Sequence, residues 1–499
     1  MTTPLESPST AKDEIAAEQP DQLAARLHIG TRRPGLSLAA FPALMFSFLP
    51  YRLQARLTHG TVTHRVLTLA WPSVMEQSLI TLVGLVDAYI VGHLGAAAIA
   101  GVGLGGQVLN LTAALFSAVG VGATALIARH IGAQEPEEAN RLAGQALMLA
   151  VAISALAALA CFLFARPIMV LLGAAPDVVA GGSAWLRVVA PSFVTLGLLL
   201  VGTASLRGAG DTRTPLGVMI AVNLVNVVVA WTFTRGLFGM PRLGVVGSGL
   251  GAMSGQIIGG LAVAFILIRG RGPLKLGWRL PPLDLARLRR ILNIGLPAGA
   301  EQVLLQLALL NLAIVISQLG TAAYAAHNIG IRIAAMSFLP GWGFSVAATT
   351  LVGQELGARR PDRARRATYA SFLLALAVMT SMGLVLFAFS QPILRLFTND
   401  ADVVREGLIV VRVDGLLQPL LAASFVFSGA LRGAGDTRAT MLITLGSVWG
   451  LRLVAAYLLA ITLGLGLLGV WLGIGIDFAS RATWFWLRFN SGKWTWLRV

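Results

Sequence analysis

Apolar stretches recur along the chain between residues 66 and 488, separated by short polar breaks that carry glycine, proline and arginine. Each stretch approaches the roughly 20 residues a helix needs to cross about 30 Å of hydrocarbon, and none shows the strict alternation of a membrane strand. The pattern predicts twelve helices, at approximately 66–94, 101–128, 142–165, 184–205, 214–235, 244–268, 291–318, 324–352, 368–390, 407–430, 439–462 and 466–488. Composition agrees with it. Of the 499 residues 56% are hydrophobic and only 12% charged, so little of the surface can face water. An all-α integral membrane protein follows. Residues 1–57 break the pattern: Glu6, Asp13, Glu14, Glu18 and Asp21 open a polar stretch, and the apolar run after it is short and holds Pro42 and Pro50. They predict a disordered or interfacial extension without the layout of a cleavable signal.

A net charge of +16 in a soluble protein would suggest a nucleic-acid partner, but here the arginines lie mainly in loops and report orientation instead. The loops after helices 2, 4, 6, 8 and 10 hold eighteen Lys and Arg, from Arg129 to Arg438, whereas the opposite loops hold five: Arg166, Arg235, Arg242, Arg395 and Arg405. This bias predicts a multi-pass protein with both termini in the cytoplasm. Arginine in excess over lysine, with abundant alanine, points to a bacterium with a GC-rich genome and hence to the inner membrane. The single cysteine, Cys161, excludes an internal disulfide framework and a cysteine metal cluster, and is expected to fill core space.

The octapeptide "LRGAGDTR" occurs twice, at 206–213 and 431–438, a separation of 225 residues. The same offset holds along both halves. "PSVMEQ" at 72 meets "PAGAEQ" at 297, "LGAAAIA" at 94 meets "LGTAAYA" at 319, and "ATALIARHIGA" at 123 meets "ATTLVGQELGA" at 348. Two homologous six-helix lobes are therefore expected, at 58–268 and 291–499, joined by a basic, proline-containing linker at 269–290. Six is even, so both lobes enter from one side and enclose a central cleft about an axis along the membrane normal. The octapeptide itself predicts a tight hairpin between helices 4 and 5. Gly208 and Gly210 suit left-handed conformations, Asp211 is placed to cap the next helix, and Arg207 is spaced to pair with Asp211 across the turn.

Charges at membrane depth are expensive and tend to mark pathways. Helix 1 contains Glu76 and Asp87, the latter roughly 30 Å from the helix start. A carboxylate there is costly unless a cation or hydrogen-bond donors compensate, which suits it to hold a proton or metal cation in one state and release it in another. The alternative is a carboxylate satisfied by neighbouring hydroxyls and amides. The second lobe has Leu312 at the equivalent position, and a device needed only for folding is expected in both lobes. Asp87 is therefore the ion-coupling candidate. Asn223 and Asn226, three apart on helix 5, share a face and are placed to bond it, although asparagines also glue membrane helices together. Glu76 and Gln77 are repeated as Glu301 and Gln302, each pair just beyond a proline. They are candidates for the cleft or the substrate site, with a structural reading equally open. Asp477 and Arg481 are spaced for an intrahelical pair, and Arg332 has no sequence-local acid. "GVGLGG" at 101–106 formally matches a dinucleotide motif but lacks the strand and the acidic partner such a site requires. His93, His130 and His327 are too scattered for a metal site, and no nucleophile and base constellation appears. No enzyme, cofactor or nucleic-acid partner is expected, and the chain is expected to act as a monomer in the lipid bilayer.

The opening "LTHGTVTHRVLTLAWP", the "VDAYIVGHLG" end of helix 1, "AAHNIGIRIAAMSFLPGWGFSVAATTLVGQELGA" at 325–358 and the doubled octapeptide together resemble the multidrug and toxic compound extrusion (MATE) transporters. The resemblance covers about residues 57–499 and several motifs agree in order. It implies a twelve-helix, two-lobe antiporter that expels cationic or amphipathic organic compounds in exchange for protons or sodium. Asp87 then matches the family's helix 1 aspartate implicated in cation coupling, and Asn226 a helix 5 asparagine near it. One turn later, where some members resemble each other in a second aspartate, this chain has Ala230, and the C-lobe acids of some branches fall at Leu305 and Leu421. The resemblance is accordingly to the DinF-like branch, which relies on the first lobe, and one strong carboxylate favours protons over sodium. The competing readings are a flippase for a lipid-linked or polyisoprenoid substrate, which a cleft rich in basic residues would favour, and a channel or membrane enzyme.

Overall fold

A computed structural model describes residues 62–270, 274–277 and 282–497. The expected extension at 1–57 and part of the 269–290 linker lie outside these residues. The twelve long helices are α1 (Val62–Gly92), α2 (Ala96–Gly132), α3 (Pro136–Leu163), α4 (Pro176–Gly208), α5 (Arg213–Arg235), α6 (Val245–Arg269), α7 (Leu285–Ser317), α8 (Thr321–Gly357), α9 (Pro361–Ala388), α10 (Ala401–Gly433), α11 (Thr437–Thr462) and α12 (Gly466–Asn490). Eleven are long and apolar enough to cross a membrane by length and composition. The twelfth, α12, has 25 residues but carries Asp477, Arg481 and Arg488.

Two departures from the expected spans have local causes. Helix α7 starts at Leu285, not near 291, because the Asp284 side chain caps it, accepting from the Ala286 and Arg287 backbone N–H groups. The Arg287 N–H foremost, with that of Ala286 and the guanidinium of Arg287, holds the Asp284 carboxyl below its ordinary range. Helix α11 contains two π-helical stretches, Gly446–Arg452 and Leu458–Thr462, which the 3.6-residue periodicity did not reveal. Short helices at Ala165–Leu171 and Ser390–Arg395 also stand at the 225-residue offset, one in each lobe.

The octapeptide forms the expected hairpin, with one change of roles. Gly210 (φ 94°) and Gly435 (φ 87°) adopt the left-handed conformation, whereas Gly208 and Gly433 are helical and serve close packing. A methyl group at Gly208 would lie 2.8 Å from the Thr124 carbonyl oxygen, and one at Gly433 2.2 Å from that of Thr349. Asp211 caps the start of α5 through the Thr214 N–H at 2.9 Å. Pro72 frees the Thr68 carbonyl of α1, and Thr212 donates to it at 3.4 Å.

The helix starts of the odd-numbered helices and the ends of the even-numbered ones share one end of the molecule, here the basic end. At that end the lobes meet through matched contacts. A methyl group at Gly132 would lie 1.9 Å from the Gln354 carbonyl oxygen, and one at Gly357 1.8 Å from that of Arg129. These pairs exchange under the 225-residue offset, as an approximate two-fold axis requires. Gly122 against Ile291, Gly295 against Ala118 and Gly343 against Val74 complete the contact. Ile291 and Ile294 of α7 are buried in the same core cluster as Phe116, Leu126 and Leu142 of the first lobe. Toward the other end Gly84, Gly95, Gly103, Gly106 and Gly320 have nothing within 4 Å of an added methyl group, and Leu111, Leu309 and Met336 are exposed. The cleft between the lobes closes at the basic end and opens away from it.

Candidate ion and cleft sites

The repeated carboxylates are structural partners of the repeated octapeptide. Arg207 does not pair with Asp211. Its Nη1 donates to Glu76 Oε1 at 2.8 Å and Oε2 at 3.0 Å, tying α4 to α1. In the second lobe Arg432 Nη2 donates to Glu301 Oε1 at 2.8 Å, and Thr444 adds a second donor at 2.8 Å. Both acids are almost fully buried (6% and 4% exposed), and both pairs span 131 residues. Local spacing selected Asp211 because it is four residues away, whereas burial selects Glu76. A buried carboxylate without a guanidinium would be the costlier arrangement.

Asp87 sits in a different environment. Of the two amides placed to bond it, Asn226 does so, Nδ2 to Oδ2 at 3.4 Å. Asn223 instead donates to the Leu79 carbonyl at 2.9 Å, so only one of the pair reaches the carboxylate. Asp87 Oδ1 and Asn226 Oδ1 are buried with no hydrogen-bond donor, as is Asn223 Oδ1 one turn earlier on α5. An acceptor-rich, donor-poor group of this kind is completed by a proton on the carboxylate or by a cation that takes oxygen ligands. Ala230 stands one turn along α5 from Asn226, fully buried, its Cβ 2.5 Å from a methyl group built at Gly251. The tight α5–α6 crossing leaves no room for an aspartate there.

Gln77 and Gln302 are half-exposed. Each lies three residues beyond an inter-lobe contact, Val74 on α1 and Gly299 on α7, and so lies on the face turned to the cleft. The predicted set therefore divides into Asp87 with Asn226 as one group, Glu76 and Glu301 in the two ion pairs, the two glutamines beside the inter-lobe contacts, and Asn223, which ties α5 to the Leu79 carbonyl of α1.

The second lobe holds an acid that sequence reasoning missed. Leu312 and Leu421 are buried (2% and 1% exposed) and apolar, but Asp414, seven residues before Leu421 on the same face of α10, is 2% exposed. Its Oδ2 accepts from Ser337 Oγ at 3.3 Å and Gln418 Nε2 at 3.1 Å, while its Oδ1 has no partner. The signal was available, since Val189 stands at the offset position in the first lobe. Asp477 and Arg481 pair as expected at 2.7 Å. Arg452 of the α11 π-helical stretch joins the same carboxylate, and Ser447 Oγ donates to it at 2.5 Å. Among the described residues no group of three or more His, Cys, Asp or Glu could hold a metal ion, and "GVGLGG" packs helices: a methyl group at Gly105 would lie 2.4 Å from the Trp185 ring.

Comparison with known proteins agrees with this architecture. The MatE family model matches twice, at residues 72–232 and 297–458, the two matches beginning 225 residues apart. A probable multidrug resistance protein NorM of Thermotoga maritima is 32% identical over 437 residues, covering 87% of this chain and 93% of that one. Multidrug resistance protein PmpM of Pseudomonas aeruginosa is 27% identical, covering 84% and 89%. Among solved structures, a multidrug resistance MATE family transporter in an outward-facing conformation superposes with a TM-score of 0.81 at 24% identity, covering 87% of this chain and 98% of that one. The fold, the duplicated match and these relatives agree: this chain belongs to the MATE family of multidrug efflux transporters.

Proposed function

We propose that this chain is a secondary antiporter of the bacterial inner membrane that exports cationic or amphipathic organic compounds in exchange for protons or sodium. Its lobes would be residues 58–268 and 291–499, joined by 269–290. The positive-inside bias orients the basic end, and both termini, toward the cytoplasm. The state described above is then closed to the cytoplasm and open outward. The observation that carries the coupling assignment is the donor-poor pocket of Asp87, unmatched in the second lobe by Leu312. A proton or cation entering from outside would neutralise Asp87 and complete its oxygens. That removes a cost that favours one arrangement of α1 against α5, and the two lobes rock so that the cleft opens at the basic end. Export of a drug would then return the lobes with the ion released inward.

The test is efflux of a fluorescent organic cation from proteoliposomes under separately imposed proton and sodium gradients. Wild-type protein is expected to respond to one gradient, and Asp87→Asn to lose that response while remaining monodisperse. A well-folded Asp87→Asn variant with undiminished gradient-driven efflux would overturn the coupling assignment.

A further inference from the structure

Arg332 of α8 is exposed and makes no hydrogen bond or ion pair with any described residue. A guanidinium within a membrane-spanning helix is costly unless it meets water, a partner or a ligand. Its direction follows from helix phase, because residues three, four, seven and eleven apart share one face. Near the basic end that face of α8 meets the first lobe at several turns. Gly343 packs on Val74, Thr350 Oγ1 donates to the Arg207 carbonyl at 3.0 Å, Gln354 Nε2 to that of Gly208 at 3.4 Å, and Gly357 abuts Arg129. Arg332 precedes Gly343 by three turns, about 16 Å, with exposed Met336 on the same stripe. Pro340 lies between Arg332 and Gly343, but on the Arg332 side of it the opposite face of α8 is held in its own lobe, Gly330 against Val410 and Ser337 Oγ donating to Asp414 at 3.3 Å, so Arg332 is turned out of that lobe toward the open cleft.

Among the described residues, the facing walls on α1, α2 and α7 turn no acid toward Arg332. The offset counterpart of Arg332 is Gln107 on α2, exposed and on the same face as Ala118, which contacts α7 at Gly295. Helix α7 adds Gln302 and the exposed Gln306. Asp87 is turned aside: it lies eleven residues from Glu76 on the face directed into its own lobe, where Asn226 bonds it. The cleft at this level presents amides, aliphatic side chains, a thioether and one guanidinium.

We propose that Arg332 recognises an anionic group on the transported compound, so that the cleft takes amphipathic molecules bearing a carboxylate or comparable oxyanion, zwitterions included. A guanidinium offers two parallel donors to such a group, and a poorly hydrated cleft strengthens them. Met336 and the glutamines accept the apolar and neutral polar parts of the same molecule. This rests on the export reading above and assigns the substrate class within it.

The experiment uses two rhodamine dyes with the same cationic ring system, one with a free carboxylate and the other its methyl ester. Wild-type protein in proteoliposomes is expected to export both. Arg332→Gln should lower export of the carboxylate dye about tenfold or more and leave the ester within about twofold. Arg332→Lys should fall between, keeping the charge and losing the fork. Binding of each dye to detergent-purified protein, read by fluorescence polarisation without any gradient, should show the same selective weakening. Equal loss of both dyes in Arg332→Gln would assign the residue to gating and overturn the proposal, as would unchanged binding of the carboxylate dye. If wild type exports the ester but neither binds nor exports the carboxylate, this inference fails and the export reading stands. If wild type exports neither dye, both fail.

Discussion

At the scale of single residues, the ion pairs formed by Glu76 and Glu301 show what duplication means physically. Each carboxylate is almost fully buried and each has its guanidinium 131 residues away. Removing one partner strands the other charge, whereas removing both leaves an apolar contact of similar size. Arg207→Ala is therefore expected to lower stability by about 3–5 kcal/mol, seen as a lower midpoint of thermal unfolding in detergent, and Arg207→Leu with Glu76→Leu to regain most of it. A double variant as unstable as the single one would mean that the pair contributes through hydrogen bonding to the backbone. The sequence already contained this pair as two repeated motifs, and the missing step was the partner. Pairing by burial across 131 residues leaves no local spacing, while Arg207 and Asp211 offer a spacing that burial overrides. Asp87 was legible for the opposite reason, because its lack of a counterpart is visible without knowing any contact. Asp414 passes the same comparison, with Val189 at its offset position, and lies two turns from Leu421.

At the scale of helices, hydropathy located all twelve because the bilayer imposes length and apolarity on each independently. Ends and irregularities were less readable. The start of α7 depends on one capping side chain, Asp284, and the π-helical stretch of α11 brings Arg452 to Asp477, 25 residues on, which no periodicity encodes. Crossings between helices depend on glycine positions whose meaning appears only against a neighbour. Gly357 of α8 permits the approach to Arg129 of α2, and Gly132 of α2 the approach to Gln354. Gly357→Leu is expected to force α2 and α8 apart at the basic end and so to populate the state open there. A cysteine introduced at Ala128, which is fully buried and lies against Gly353, would report it. Cys161 is the only native cysteine and is buried, so background labelling is low. Membrane-impermeant maleimide should react slowly with Ala128→Cys alone and several-fold faster when Gly357→Leu is added. Equal rates would show that the crossing yields without the lobes parting.

At the scale of the whole molecule, two of the polar contacts that hold the basic end closed exchange under the offset. Arg65 of α1 donates to Glu355 of α8 at 2.6 Å, and to Gln354 at 3.2 Å. The counterpart Arg290 of α7 donates to His130 of α2 at 3.3 Å, His130 in turn bonding Glu135 at 2.7 Å. Arg290 also stands 4.0 Å from Glu138 of α3, which Arg287 of α7 holds through two bonds of 2.8 and 2.9 Å, so opposite charges join the lobes on both sides. Arg65 is about half exposed (47%), so water and salt reduce the worth of its pair to at most about 1 kcal/mol. That is still roughly a fivefold change in the ratio of closed to open molecules. Glu355→Gln should therefore increase the fraction open at the basic end, read as a longer component in the distance distribution between spin labels on the ends of α2 and α8. The exchange Arg65→Glu with Glu355→Arg should restore the short distance, and high salt should move wild type toward the Glu355→Gln distribution. If the variant opens but the charge exchange fails to close it, Glu355 acts through its packing and not through its charge. If neither substitution nor salt moves the distribution, the glycine crossings together with the Arg287–Glu138 pair hold the basic end shut, and opening must then wait on the ion at Asp87.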